Sequence, residues 1–181
     1  STVASRNDYS VIMVLGVTAE YDYYVLEYWR ERVLPMECAD KIFEILKRYK
    51  PVRRVNIETI AYQEMLRDYV QKRSKKEGLF VPGIEKGIKG YTQKKKDRLF
   101  EGLQPMFKAG AVHLKKLHHE FIGELLDFPK GSHDDTIDAF WLATQYAKGN
   151  PKAGKKNKEK QKDGTYKAAH KMYDWITGRR T

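Results

Sequence analysis

The segment FPKGSHDDTIDAFW, residues 128–141, organises the rest of this chain. It places three acidic residues, Asp134, Asp135 and Asp138, within five positions, directly after a turn that contains proline and glycine. From Ile137 onward, apolar side chains and a threonine recur at i, i+3, i+4 and i+7, which is the period of one helix face. The segment therefore predicts a helix whose first turn is strongly acidic.

Two interpretations of this acidic turn are open. Acidic residues in a first turn complement the helix dipole, and Ser132 with Asp135 has the spacing of a capping box, so the helix would begin at Ser132 or His133. However, Asp134 and Asp138 are four residues apart, share a face and repel each other. A divalent cation would relieve that repulsion, because hard cations bind carboxylate oxygens. The choice depends on whether other carboxylates converge on this turn.

The composition describes a basic globular protein. The chain has 181 residues, of which 41% are hydrophobic and 33% charged, and its formal net charge is +11. This charge indicates a polyanionic partner, nucleic acid before membrane. No apolar run approaches the roughly 20 residues of a membrane span. The single cysteine, Cys38, excludes an internal disulfide framework and is predicted to be a small packed side chain.

Hydrophobic periodicity predicts an α/β chain. The predicted strands are 9–18, 23–30, 52–59, 79–81 and 111–115, and the predicted helices are 35–49, 60–74, 92–107, 120–126 and one from the acidic segment to about 147. A hairpin followed by alternating helices and strands predicts a mixed sheet flanked by helices, with an antiparallel half. The first strand is apolar on both faces and is predicted to be central in that sheet.

The last part of the chain differs in composition. Residues 148–163 contain seven lysines, two acidic residues and no large apolar residue, which is typical of a flexible basic linker. Weak helical character resumes from Tyr166 to Gly178. We therefore predict one compact domain at 1–147, followed by a basic linker and a helical tail at 148–181.

A second acidic position lies early in the chain. Glu58 is predicted at the end of the strand VRRVNIE, and sites in open α/β sheets lie beyond the carboxyl ends of parallel strands. Glu58 could therefore meet Asp134 and Asp135 at one sheet edge. Two-metal phosphoryl chemistry uses such carboxylates to hold two divalent ions about 3.5–4 Å apart. Asp8, just before the first strand, is a candidate fourth acid.

Basic residues crowd the first turns of the predicted helix 92–107. Lys94, Lys95, Lys96 and Arg98 oppose the dipole there, so they form either a solvated face or a site for an anion such as a phosphate backbone.

The histidines are ambiguous by sequence. His133, next to the acid pair, is either a metal ligand or a hydrogen-bonding residue at the helix start, and the latter is the commoner role. Asp138, one turn further along, is predicted to support the site rather than to bind metal. His118 and His119 lie far from the motif in sequence and are predicted to be surface residues.

Several motifs together resemble a known family. They are Asn7-Asp8-Tyr9-Ser10 before the hairpin, Asn56-Ile57-Glu58, Lys95-x-x-Arg98, Gly110-x-Val112, and Phe128-Pro129-x-Gly131-x-His133-Asp134-Asp135-x-x-Asp138-Ala139. From about residue 8 to residue 147 the chain resembles the nuclease domain of the large terminase subunit of tailed bacteriophages. The resemblance implies an RNase H-like (retroviral-integrase-like) fold.

The resemblance also implies an activity and partners. The activity is metal-dependent endonucleolytic cutting of concatemeric viral DNA during packaging, with two Mg²⁺ or Mn²⁺ ions. By position, Glu58 resembles the central metal-binding acid, Asp134 with Asp135 the late acid pair, and Asp8 an acid near the metals. Lys95 and Arg98 resemble DNA contacts. The implied partners are double-stranded DNA, the ATPase domain of the same polypeptide, the portal and the small terminase subunit, at the procapsid in the bacterial cytoplasm.

The chain departs from the family pattern in two respects. The family's first catalytic Asp lies on a strand before the Asp-Tyr-Ser segment, and this chain begins at Ser1 without it; a G-x-x-x-x-G-K-[ST] phosphate loop is also absent from the sequence. The expectation is an isolated nuclease domain that lacks its first strand and is impaired in cleavage. Two alternatives remain: a non-catalytic DNA-binding or scaffold domain, and a Holliday-junction resolvase or transposase of the same fold class, which would prefer branched DNA.

Overall fold

The structure is a computed structural model that describes residues 9–59, 61–84, 88–89, 95–145 and 147. Its elements are β1 (Ser10–Val17), β2 (Tyr23–Glu31), α1 (Pro35–Arg48), β3 (Glu58–Thr59), α2 (Ala61–Glu77), β4 (Ile88–Lys89), α3 (Lys95–Lys108), β5 (Val112–His113), α4 (His119–Asp127) and α5 (Asp135–Thr144). They fall into two compact units, one within 1–12 and 30–92 and the other within 13–29 and 93–181. Among the described helices, none has the length and apolarity to cross a bilayer.

A mixed three-stranded sheet confirms the predicted fold class. The strand order is β1-β2-β5, with β1 and β2 antiparallel and β5 parallel to β2, where Tyr23 lies opposite Val112 and Tyr24 opposite His113. The Tyr24 and His113 rings stack with their centroids 4.3 Å apart. Among the described strands, β2 is therefore the middle one. Within this part of the chain, the central position predicted for β1 belongs to β2, because β5 pairs with the other side of β2 through bonds such as that from the Tyr23 N–H to the Ala111 carbonyl, 2.7 Å.

The first unit is built on the packing of α1 against α2. Pro35 opens α1 at a position where a missing N–H costs nothing, and Glu37 Oε2 accepts a hydrogen bond of 2.9 Å from the Leu34 N–H. Phe43 of α1 and Val70 of α2 are fully buried. Cys38 is also buried, and burial raises the pKa of its thiol to about 11, so the thiol is neutral. The predicted packing role of Cys38 is confirmed.

The strands of the first unit differ from the prediction. The predicted strand 52–59 is reduced to Glu58–Thr59, which pairs in parallel with Ile88–Lys89, where neither a strand nor a helix was predicted. Before Glu58, the Val55 N–H donates to the carbonyl of Pro82, 2.7 Å, a residue that precedes β4 and is not part of a strand. The predicted strand 79–81 is not a strand, because both backbone groups of Leu79 bond to Ser74 at the end of α2.

In the second unit, three helices enclose an aromatic core. Phe121 of α4 and Phe140 of α5 are fully buried with ring centroids 5.4 Å apart, and Phe107 of α3 lies 6.1 Å from Phe140. Leu99 and Ile137 are also buried there. The apolar period of the acidic segment thus produces the face through which α5 packs against α3 and α4.

His118 belongs to this core, so its predicted surface location was wrong. The side chain is 1% exposed and meets the Tyr28 ring edge-on, with centroids 5.5 Å apart. Its Nδ1 accepts a hydrogen bond from the Lys115 N–H, 3.3 Å. Burial, and secondarily the charge of Lys115, lower the pKa of His118, so the ring packs as a neutral group. His119 is exposed, as predicted.

Two helical glycines give a matched test of the packing between α3 and α5. A Cβ at Gly102 in α3 would lie 2.5 Å from Nε1 of the buried Trp141, whereas a Cβ at Gly123 in α4 would meet no described atom within 4 Å. We expect Gly102→Ala to lower the free energy of unfolding by about 1–3 kcal/mol through overpacking. Gly123→Ala should instead raise it by about 0.5–1 kcal/mol through helix propensity.

Urea unfolding followed by circular dichroism measures both variants. Equal stabilisation by Gly102→Ala and Gly123→Ala would contradict the close approach of α5 to α3.

Candidate functional site

The acidic pair lies at the N-terminus of α5. Asp134 is the N-cap residue, with φ −143° and ψ 15°, and Asp135 is the first helical residue. Both are half-buried, as is Asp138, whose N–H donates to the Asp134 carbonyl at 2.9 Å. The prediction of an acidic first turn is confirmed. The predicted start at Ser132 or His133 was wrong, and so was the Ser132–Asp135 capping box.

The turn before α5 ties it to the end of α4. The Asp127 carbonyl accepts hydrogen bonds from the N–H groups of Lys130 and Gly131, both 2.8 Å. Phe128 is buried, and the peptide bond from Phe128 to Pro129 is cis. The Pro/Gly turn thus returns the chain so that α5 begins beside the last turns of α4, with which it makes contacts.

Glu124 of α4 accepts hydrogen bonds from the first turn of α5. Its Oε2 accepts a hydrogen bond from the Thr136 N–H, 2.9 Å, and another from the Thr136 hydroxyl. Within the described residues, the Asp134 side chain makes no capping hydrogen bond to the helix backbone. A carboxylate from the preceding helix therefore does what an N-cap side chain ordinarily does.

Sequence reasoning missed Glu124, because the spacing within the acidic segment does not point to the preceding helix. The available signal is Thr136 itself, a polar residue at the start of a helix face that is mostly apolar.

The chemistry of the acidic pair fits a hard divalent cation. Asp134 and Asp135 are adjacent and partly exposed to solvent, and carboxylate oxygens are the ligands that Mg²⁺ and Mn²⁺ accept in proteins. Over the described part of the chain, no group of three or more His, Cys, Asp or Glu side chains is arranged to hold a metal ion. A cation bound by this pair would therefore need further ligands from residues outside the described set, or from water.

The remaining predicted site residues are placed as follows. Glu58 is the first residue of β3 in the first unit, rather than the end of a longer strand, and its side chain lies outside the described part, as Asp8 does entirely. His133 is described and exposed. The structure thus brings Asp134, Asp135 and Asp138 together on one helical turn, whereas Glu58 belongs to the other unit.

The predicted basic residues lie at the start of α3, in the second unit. Lys95 begins this helix, and Lys96 and Arg98 belong to its first turn. Their side chains, and Lys94 as a whole, lie outside the described residues. Residues 148–181, predicted to form the basic linker and helical tail, also lie outside them.

Comparison with known proteins places the chain in a family. The family model of the terminase RNaseH-like domain matches residues 2–147, a range that includes every residue the structure describes. No curated protein and no solved structure matches the chain.

Proposed function

The chain belongs to the terminase RNaseH-like domain family, and from this premise we propose that it is the metal-dependent DNA endonuclease domain of a phage DNA-packaging terminase. Its role would be to cut concatemeric viral DNA. The observation that supports cleavage most directly is the half-buried, adjacent pair Asp134 and Asp135 at the N-terminus of α5. A cap alone does not need two neighbouring carboxylates when Glu124 already bonds to the helix start.

We propose that Asp134 and Asp135 bind the cation. Because Glu58 and Asp8 match acidic positions of the family pattern, we also propose that Glu58 is a metal-binding acid and Asp8 a catalytic acid. Mg²⁺ or Mn²⁺, bound as one or two ions, would supply activation of a water molecule and neutralisation of charge on the phosphodiester. The chain itself contributes the carboxylate oxygens of two adjacent residues at the N-terminus of α5. Asp138, bonded through its N–H to Asp134, holds the first turn, and the exposed His133 lies beside the pair.

Substrate binding is proposed to rest on positive charge. The formal net charge of +11 favours association with the DNA backbone, and Lys94, Lys95, Lys96 and Arg98 are proposed to contact phosphates from the start of α3. Proposed partners are double-stranded DNA, an ATPase domain of the same polypeptide, the portal and the small terminase subunit.

A second candidate function is DNA binding without cleavage. It is favoured by one observation, that no cluster of three metal-ligating side chains occurs among the described residues. The two candidates predict the same salt-sensitive binding to DNA, but only the first predicts strand breaks.

Cleavage of supercoiled plasmid separates these candidates. With Mn²⁺ or Mg²⁺ we expect nicked and linear products. EDTA should reduce the rate of cleavage on the order of a thousandfold, because a bound cation lowers the activation free energy by several kcal/mol when it stabilises the charge that develops in the transition state. Excess Mn²⁺ added after EDTA should restore the rate. Retarded migration of plasmid in a gel-shift assay without any nicking at saturating Mn²⁺ would favour the DNA-binding candidate.

A further inference from the structure

One polar contact in the second unit joins α4 to the acidic first turn of α5. Glu124 Oε2 receives both hydrogen-bond donors of Thr136, and Thr136 is fully buried. The other oxygen of Glu124, Oε1, is buried as well. Charge-assisted hydrogen bonds of this kind are about twice as strong as neutral ones, so this contact holds α4 and the first turn of α5 in one arrangement.

The contact acts on the backbone that carries the acids. The Thr136 N–H belongs to the peptide plane that also contains the Cα atom of Asp135, because the peptide unit is planar. Holding that N–H therefore fixes the direction in which the Asp135 backbone enters the helix. Asp134 is fixed in turn, since its carbonyl accepts the hydrogen bond from the Asp138 N–H in the same turn.

We propose that Glu124 is a positioning residue for the acidic pair: by binding Thr136 it holds Asp134 and Asp135 in the orientation that binds a divalent cation. This inference rests on the proposed function and adds a residue to it. Glu124 acts through the backbone of α5 rather than as a ligand, which agrees with the lack of a three-residue metal cluster among the described side chains.

Variants at both ends of the contact test the inference. Residues that orient metal ligands typically change metal affinity by about 10–100-fold when they are replaced. Glu124→Ala should weaken Mn²⁺ binding by about that factor, and Glu124→Gln should weaken it less, because the amide oxygen still accepts from Thr136. Thr136→Val removes the hydroxyl and should weaken binding, whereas Thr136→Ser keeps the hydroxyl and should bind nearly as the wild type does.

The readout is the dissociation constant of Mn²⁺, measured by electron paramagnetic resonance of free Mn²⁺ in the absence of DNA. The measurement is made well below the melting temperature of every variant, where circular dichroism shows that all of them are folded. A loss of stability alone therefore leaves the dissociation constant unchanged. Glu120→Gln is the matched control, because Glu120 lies on the same helix and is exposed, with the Tyr28 hydroxyl 3.4 Å from its Oε2. It should bind Mn²⁺ as the wild type does.

Hydrogen exchange at the Thr136 amide tests the contact independently of metal. The amide should exchange slowly in the wild type and at least about tenfold faster in Glu124→Ala, because the helix start loses its acceptor. Equal exchange rates in the two proteins, or equal Mn²⁺ affinity of the wild type, Glu124→Ala and Thr136→Val, would overturn the inference alone. A wild type that binds no Mn²⁺ would overturn the proposed function and this inference together.

Discussion

Asp134→Asn and Asp135→Asn are each expected to reduce Mn²⁺-dependent plasmid cleavage on the order of a thousandfold or more, because each removes an anionic ligand of the proposed cation site. The substitution keeps the size and much of the hydrogen bonding of the side chain, and both positions are only half-buried, so the fold should survive. The rate of nicking of supercoiled plasmid, at saturating Mn²⁺ and equal protein concentration, measures the effect.

Asp127→Asn provides the control for this pair. Asp127 is an exposed acid at the end of α4, seven residues before Asp134, and it undergoes the same chemical change. It should cleave at the wild-type rate. Wild-type cleavage by both Asp134→Asn and Asp135→Asn would remove these residues from the catalytic site, whatever their role in the helix.

The second large effect concerns stability. Phe140→Ala is expected to lower the free energy of unfolding by about 3–5 kcal/mol, because the ring is fully buried between Phe107 and Phe121 and its removal leaves a cavity. Domains of this size have a total stability of about 5–15 kcal/mol, so the variant should be close to unfolding at physiological temperature. The midpoint of urea unfolding, followed by circular dichroism, measures the loss.

Phe80→Ala is the control for Phe140→Ala. Phe80 is 80% exposed, so its truncation should change stability by no more than about 0.5 kcal/mol. Unfolding of the two alanine variants at the same urea concentration would contradict an enclosed aromatic core around Phe140.

Much of the fold could be predicted because it is encoded locally. The hairpin of β1 and β2 follows from two β-prone runs with a short link, and its turn uses Tyr21 at φ 67° and a hydrogen bond from the Asp22 N–H to the Thr18 hydroxyl. The helices follow from the period of their apolar residues. The observed helix ends lie within a few residues of the predicted ones, because helix ends fray and have no sharp boundary.

The errors concern features that depend on distant partners. Among the described strands the order is β1-β2-β5, so β2 is in the middle rather than β1. This order depends on pairing between strands that are distant in sequence. Leu79 lies in a short apolar run that predicted a strand, yet its N–H and carbonyl form hydrogen bonds with Ser74 at the end of α2. His118 was predicted to lie on the surface because it is far from the acidic motif in sequence, but the neutral ring packs against Tyr28.

In the candidate site, too, local features were predicted from the sequence and long-range contacts were not. The spacing of Asp134, Asp135 and Asp138 is local, so the sequence correctly predicted a helix with an acidic first turn. The group that satisfies the helix start is Glu124, on the preceding helix, and its contact with Thr136 depends on how α4 and α5 pack. Sequence spacing within the motif pointed to Ser132 instead, because a capping box is the local solution to the same requirement.

Anomalous diffraction from crystals soaked in Mn²⁺ shows whether Asp134 and Asp135 bind a divalent cation. We expect an anomalous peak within coordination distance of carboxylate oxygens of Asp134 and Asp135, and no peak there in crystals of Asp134→Asn. Wild-type crystals at saturating Mn²⁺ with no peak beside these two carboxylates would exclude them as the cation ligands.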